Sequence, residues 1–95
     1  MVLIHLLINN KANLSEISEW LLKESLAVSV EIDYDREHYI LENAKLFKET
    51  VHKLSFISQA SDFSRIQTAL EDKYEEALKE IYSVPVVYQN WNPDK

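Results

Sequence analysis

The chain has 95 residues, 46% of them hydrophobic and 27% charged, with a formal net charge of −6 and neither cysteine nor glycine. That size and balance predict one globular domain over residues 1–95, with a two-layer core, and the acidic charge excludes nucleic acid and anionic membrane surfaces, which need a positive field. The missing cysteine removes disulfides, thiolate nucleophiles and thiolate metal sites, and the missing glycine removes phosphate-cradling, dinucleotide-binding and calcium-binding loops in their usual form.

Val2 to Ile8 is a nearly continuous apolar run ended by Asn9 and Asn10, the pattern of an interior strand covered on both faces. The opening MVLIHLLI has no basic leader region and no small-residue cleavage site. It therefore reads as a strand and not as a signal peptide, and no run approaches a membrane span, so a cytoplasmic protein is expected. Asn13, with Glu16 three residues on, is placed as the N-cap of a helix running roughly from Leu14 to Glu24, with Leu14, Ile17, Leu21 and Leu22 as its apolar stripe. Leu26 to Tyr34 then alternates: Val28, Val30, Ile32 and Tyr34 on one side, Ser29, Glu31 and Asp33 on the other. This predicts a central strand with one face on the core.

A turn at Glu42 to Ala44 leads into a long return strand, Lys45 to Ser58. Its apolar residues do not keep one parity, which calls for a bulge or for burial on both faces. Both suit a hairpin that projects beyond its own domain and is covered by another subunit. Ser61 or Asp62 caps a second helix with Phe63, Ile66, Leu70 and Tyr74 on its stripe; propensity alone leaves its end open between Lys73 and Ile81. Ile81 to Tyr88 is rich in β-branched and aromatic residues, and Pro85 assigns this last strand to an edge. Gln89 to Lys95 reads as a loop. The order strand, helix, strand, strand, helix, strand predicts an α+β, ferredoxin-like βαββαβ sandwich: an antiparallel sheet, two helices on one face, and a long hairpin between the second and third strands.

Three stretches carry a family resemblance. ISEWLLKESLAVSVEI (Ile17 to Ile32), IYSVPVV (Ile81 to Val87) and the Asn92, Pro93, Asp94 run resemble, in this order, segments of the CutA family, trimeric proteins named for divalent-cation tolerance. The resemblance spans nearly the whole chain. It implies a homotrimer with a non-catalytic role in divalent-cation tolerance or response, copper being the cation to consider. The chain departs from the family in having Ser29 where relatives commonly have cysteine, Asn43 and no glycine at the hairpin tip, and no counterpart of a histidine-proline-tyrosine-glutamate run around Tyr74 to Ala77.

Three histidines are the candidates for metal or acid/base chemistry near neutral pH. His5 and His52 lie within strands and read as structural or surface residues. His38, beside Asp35 and Glu37, is the local metal cluster to test, exposed and open to carboxylates from a neighbouring subunit. Glu31, Asp33 and Asp35 read as a solvated strand face, and Glu71, Asp72, Glu75 and Glu76 as an exposed helix end. Trp20, Trp91 and the tyrosines are assigned to packing or interfaces, and no nucleophile elbow or triad spacing is visible. The competing expectation is a regulatory domain that takes a small molecule in clefts between subunits. An acylphosphatase would need a glycine-bearing phosphate loop, and an RNA-binding sheet would need basic charge and a glycine-aromatic motif; the chain has none of these.

Overall fold

A computed structural model describes residues 1–86. Its elements are β1 (Val2–Ile8), α1 (Ala12–Lys23), β2 (Glu31–Glu42), β3 (Lys45–Ser58), a short 3-10 turn (Ala60–Asp62), α2 (Phe63–Lys73) and β4 (Leu78–Pro85). All strand pairs are antiparallel, in the spatial order β2-β3-β1-β4. With both helices on one face this is the expected α+β sandwich. β1 is interior and β4 lies at an edge, where Pro85 costs no ladder hydrogen bond.

Between the sheet and the helices, Ile4, Leu6, Ile8 and Leu54 meet Leu14, Ile17, Leu21, Ile66 and Leu70, all at most 2% exposed. Each fully buried aliphatic side chain contributes about 1.5–3 kcal/mol. The stripes of both helices are read correctly from spacing, apart from Leu22, which is 44% exposed.

The segment after α1 corrects the predicted strand. Ser25 takes φ 56°, its N–H donates to the Leu22 carbonyl at 3.2 Å, and the Leu26 N–H donates to the Leu21 carbonyl at 2.9 Å. This is a Schellman cap, with serine where glycine is usual, and the contact between buried Leu26 and Leu21 completes it. The capping backbone therefore claims Leu26, and the next residues cross to the sheet without entering it. The Ser58 hydroxyl donates to the Leu26 carbonyl at 2.6 Å and fixes this crossing. Val28 is 96% exposed instead of buried, while Val30 and Ile32 do pack on the core. β2 starts only at Glu31 and is an edge strand, not a central one.

The start of α1 differs too. Asn13 lies inside the helix, and it is Asn10 whose Oδ1 accepts from the Ala12 N–H at 3.0 Å, an Asx turn ahead of the helix. Neither Ser61 nor Asp62 makes a side-chain cap bond to α2; Ala60–Asp62 winds into the helix as a 3-10 turn instead. α2 ends at Tyr74, whose carbonyl accepts from the N–H groups of Ala77 and Leu78. β4 accordingly begins at Leu78, three residues before the predicted start, and Val87 to Lys95 lie outside the described residues.

Candidate functional site

The hairpin of β2 and β3 concentrates the ionisable side chains. β3 runs from Lys45 to Ser58 as predicted, and Asn43 and Ala44 turn the chain with φ 51° and 63°, the pair of left-handed residues that a tight hairpin needs. The irregularity expected in β3 falls on β2. Asp33 pairs with Lys53 but Arg36 pairs with Val51, so two residues, Tyr34 and Asp35, face the single residue His52. Asp35 takes φ 55° in this bulge, a conformation that aspartate tolerates better than most residues.

The bulge is held from β3. Buried His52 accepts the Asp35 N–H at its Nδ1 (3.0 Å), and the Tyr34 ring meets the imidazole edge-on at 5.9 Å. From the start of α1, the Lys11 ammonium pairs with the Asp35 carboxylate at 3.1 Å and lies 5.5 Å from the centre of the Tyr34 ring.

Beyond the bulge the two faces of the hairpin carry different groups. His38, paired in register with Glu49, lies on the sheet face away from the helices; its Nδ1 is 3.1 Å from Glu49 Oε1, and Lys79 of β4 is 3.7 Å from Glu49 Oε2. Glu37 lies on the opposite face with Lys48 at 3.2 Å and the Tyr39 hydroxyl donating to it at 3.0 Å. The three residues singled out in the sequence are thus divided: Asp35 with Lys11 and His52, Glu37 with Lys48 and Tyr39, His38 with Glu49. Alternation of strand side chains separates Glu37 from His38, and the bulge turns Asp35 toward α1. Among the described residues no group of three or more His, Asp or Glu side chains gathers as a ligand set.

Glu49 is the neighbour that sequence reading missed. Its signal was cross-strand register, obtainable by counting outward from the Asn43–Ala44 turn.

Two other clusters stand apart. In the middle of the sheet's open face, His5 Nδ1 is 2.9 Å from the Ser55 hydroxyl and its ring lies 5.0 Å from that of Tyr82, tilted by 32°. Burial, and then the charge of Lys53, hold the His5 imidazole below its ordinary 6.5. Between the helices, Lys73 pairs with Glu16 beside Tyr74. That ion pair holds the Glu16 carboxyl below its usual value and raises the Lys73 ammonium, while burial, and then Glu16, raise the Tyr74 hydroxyl. These three groups rim a cleft of about 150 Å³ floored by Ile17, Trp20 and Leu70.

Neither the protein-family models nor the curated proteins give a match. Solved structures do. The divalent cation tolerance protein CutA1 of Thermus thermophilus superposes with a TM-score of 0.79 at 16% identity, over 95% of this chain and 88% of that one. CutA1 of Oryza sativa gives 0.81 at 17% identity, over 94% and 82%. The periplasmic divalent cation tolerance protein CutA of Archaeoglobus fulgidus gives 0.76 at 16%, over 94% and 87%. The sequence resemblance and the architecture agree: this chain has the fold of the CutA1 divalent cation tolerance proteins.

Proposed function

We propose that the chain works as a homotrimer in the tolerance of, or response to, divalent cations, with copper the first ion to test, and that it does so without catalysis. The observation that carries this reading is the pattern of unpartnered surfaces on a CutA1 fold. Among the described residues both sheet edges, β2 and β4, lack a neighbouring strand. The projecting hairpin also exposes apolar residues on both faces: Leu41 (74% exposed) opposite Leu46 (70%) on one, Ile40 opposite Phe47 on the other. Long unpaired edges with exposed apolar side chains invite association. Joining the β2 edge of one copy to the β4 edge of the next is a head-to-tail contact, which closes into a ring when the rotation allows. In such a ring the sheet face without helices is the one free to turn toward the other copies.

Within one chain the His38–Glu49 pair offers one nitrogen and one oxygen ligand, fewer than a stable copper or zinc site uses. Asp35 and Glu37 lie in separate ion pairs, so a cation at His38 draws further ligands from another copy. Titration of the metal-free protein with copper and zinc, wild type beside His38→Ala, tests this. Weaker binding in the variant supports His38 as a ligand; unchanged binding removes it.

The second reading is a small-molecule regulatory domain with its ligand in clefts between subunits; within one chain the cleft rimmed by Glu16, Lys73 and Tyr74 is a further place for such a ligand. A thermal-shift screen with amino acids and nucleotides separates it from the first, because a ligand that binds only the folded state must raise the melting temperature.

A further inference from the structure

The cleft between the two helices gathers groups that neither the hairpin nor the core accounts for. α1 supplies Glu16 to its mouth and α2 supplies Lys73 and Tyr74, while Ile17, Trp20 and Leu70 line the floor. Ile17 and Leu70 belong to the buried core, and the half-buried Trp20 packs against it. On the α2 wall, Ala69 carries only a methyl group and leaves a space of about 150 Å³ open. An apolar space of that size holds a benzene ring or a branched aliphatic group of similar bulk.

We infer that this cleft binds a free α-amino acid with a side chain of leucine or phenylalanine size, its ammonium on the Glu16 carboxylate, its carboxylate on the Lys73 ammonium and its side chain on the Trp20 floor.

Charge selects this class of ligand. Glu16 and Lys73 bring opposite signs to the mouth from different helices, where they pair with each other. A lone anion placed between them is drawn to Lys73 and repelled by Glu16, and a lone cation meets the reverse. A ligand that carries both signs on one carbon satisfies both groups at once. A nucleotide carries one sign and exceeds the volume. The existing pair gives way readily, because the Lys73 and Glu16 side chains are 63% and 52% exposed, and ion pairs so exposed hold weakly. Beside them, Tyr74 is a buried residue. Burial, and then Glu16, raise its hydroxyl above the ordinary 10.0, so it remains a donor to a bound carboxylate. The Lys73 ammonium lies 5.7 Å from the centre of the Tyr74 ring, which keeps it at the mouth. Displaced proton affinities at Glu16, Lys73 and Tyr74 together are a clustering that accompanies binding sites.

The inference rests on the small-molecule reading, to which it gives a ligand class and a site within one chain, and its test separates the two. The Trp20 indole N–H resonance of the full chain, assigned through Trp20→Phe, is followed by NMR while L-leucine or L-phenylalanine is added. The expected result is a saturable shift. Isocaproate and isoamylamine, which keep the leucine side chain but lack one charge each, bind roughly 10–100-fold more weakly. Glu16→Gln and Lys73→Gln weaken leucine by a similar factor, whereas Glu19→Gln, in the exposed Glu19–Lys23 pair outside the cleft, binds as wild type. No saturable shift with either amino acid, or undiminished affinity in both Glu16→Gln and Lys73→Gln, overturns the site. If another ligand of the thermal-shift screen then still raises the melting temperature, the regulatory reading outlives the site; if none does, both fall.

Discussion

The backbone N–H of Asp35 donates to Nδ1 of His52 at 3.0 Å, at the point where the ladder between β2 and β3 absorbs an extra residue. Because Nδ1 accepts, the neutral ring carries its proton on Nε2. His52→Leu removes the acceptor and leaves a partly buried N–H unpaired. The expected cost is about 1–3 kcal/mol, read as a lower urea midpoint, together with faster hydrogen exchange at the Asp35 amide. Equal stability in the variant would show that the bulge forms without His52.

The hairpin tip makes a second prediction. Ala44 sits at φ 63°, where a Cβ meets the neighbouring carbonyl and costs roughly 1–2 kcal/mol. Glycine there removes the clash but adds freedom to the unfolded chain. Ala44→Gly is expected to stabilise by about 0.5–1 kcal/mol, and Ala44→Val to destabilise. Denaturant midpoints decide, and a loss of stability in the glycine variant would contradict the turn geometry.

Leu41 and Leu46 face one another and contribute nothing to the core of their own chain. The double variant Leu41→Glu, Leu46→Lys is therefore expected to keep a folded circular dichroism spectrum while its mass in solution falls below that of wild type. An unchanged assembled mass would place the contact between copies elsewhere.

The Glu16–Lys73 pair predicts a pH dependence at both ends. Lys73 lowers the Glu16 carboxyl from its ordinary 4.5, so this contribution to stability is complete above 4.5 and is lost as pH falls through the depressed value. Glu16 raises the Lys73 ammonium from 10.5, so that contribution is complete below 10.5 and is lost as pH rises through the raised value. Both side chains are largely exposed, so the effect is small and screened by salt. Glu16→Gln should flatten both arms of a plot of unfolding midpoint against pH at low salt. Arms as steep as those of wild type would mean that other groups set them.

What was legible in the sequence follows from how local each cause is. The nearly continuous apolar run Val2 to Ile8, the stripe Ile66, Leu70, Tyr74 and the extent of β3 were all set by short-range signals, and all three elements appear as expected, although β1 is fully buried only on the face toward the helices. Leu26 to Tyr34 misled because its alternation is real but its first residues belong to a helix cap. Ser25 in a left-handed conformation gives no signal when glycine, the usual marker, is absent from the whole chain. The metal cluster was proposed on adjacency in sequence. On a strand, adjacency sends Glu37 and His38 to opposite faces, and only cross-strand register brings Glu49 to His38 and Ser55 to His5. The pairing of His52 with Asp35 was invisible for the same reason: a bulge shifts register without marking the sequence.

The central claim is assembly through the unpaired edges and the hairpin. Sedimentation equilibrium of the wild-type chain at micromolar concentration tests it most directly. A mass three times the 11.2 kDa of one chain, unchanged on dilution through that range, is the predicted result; a single species of 11.2 kDa would contradict it.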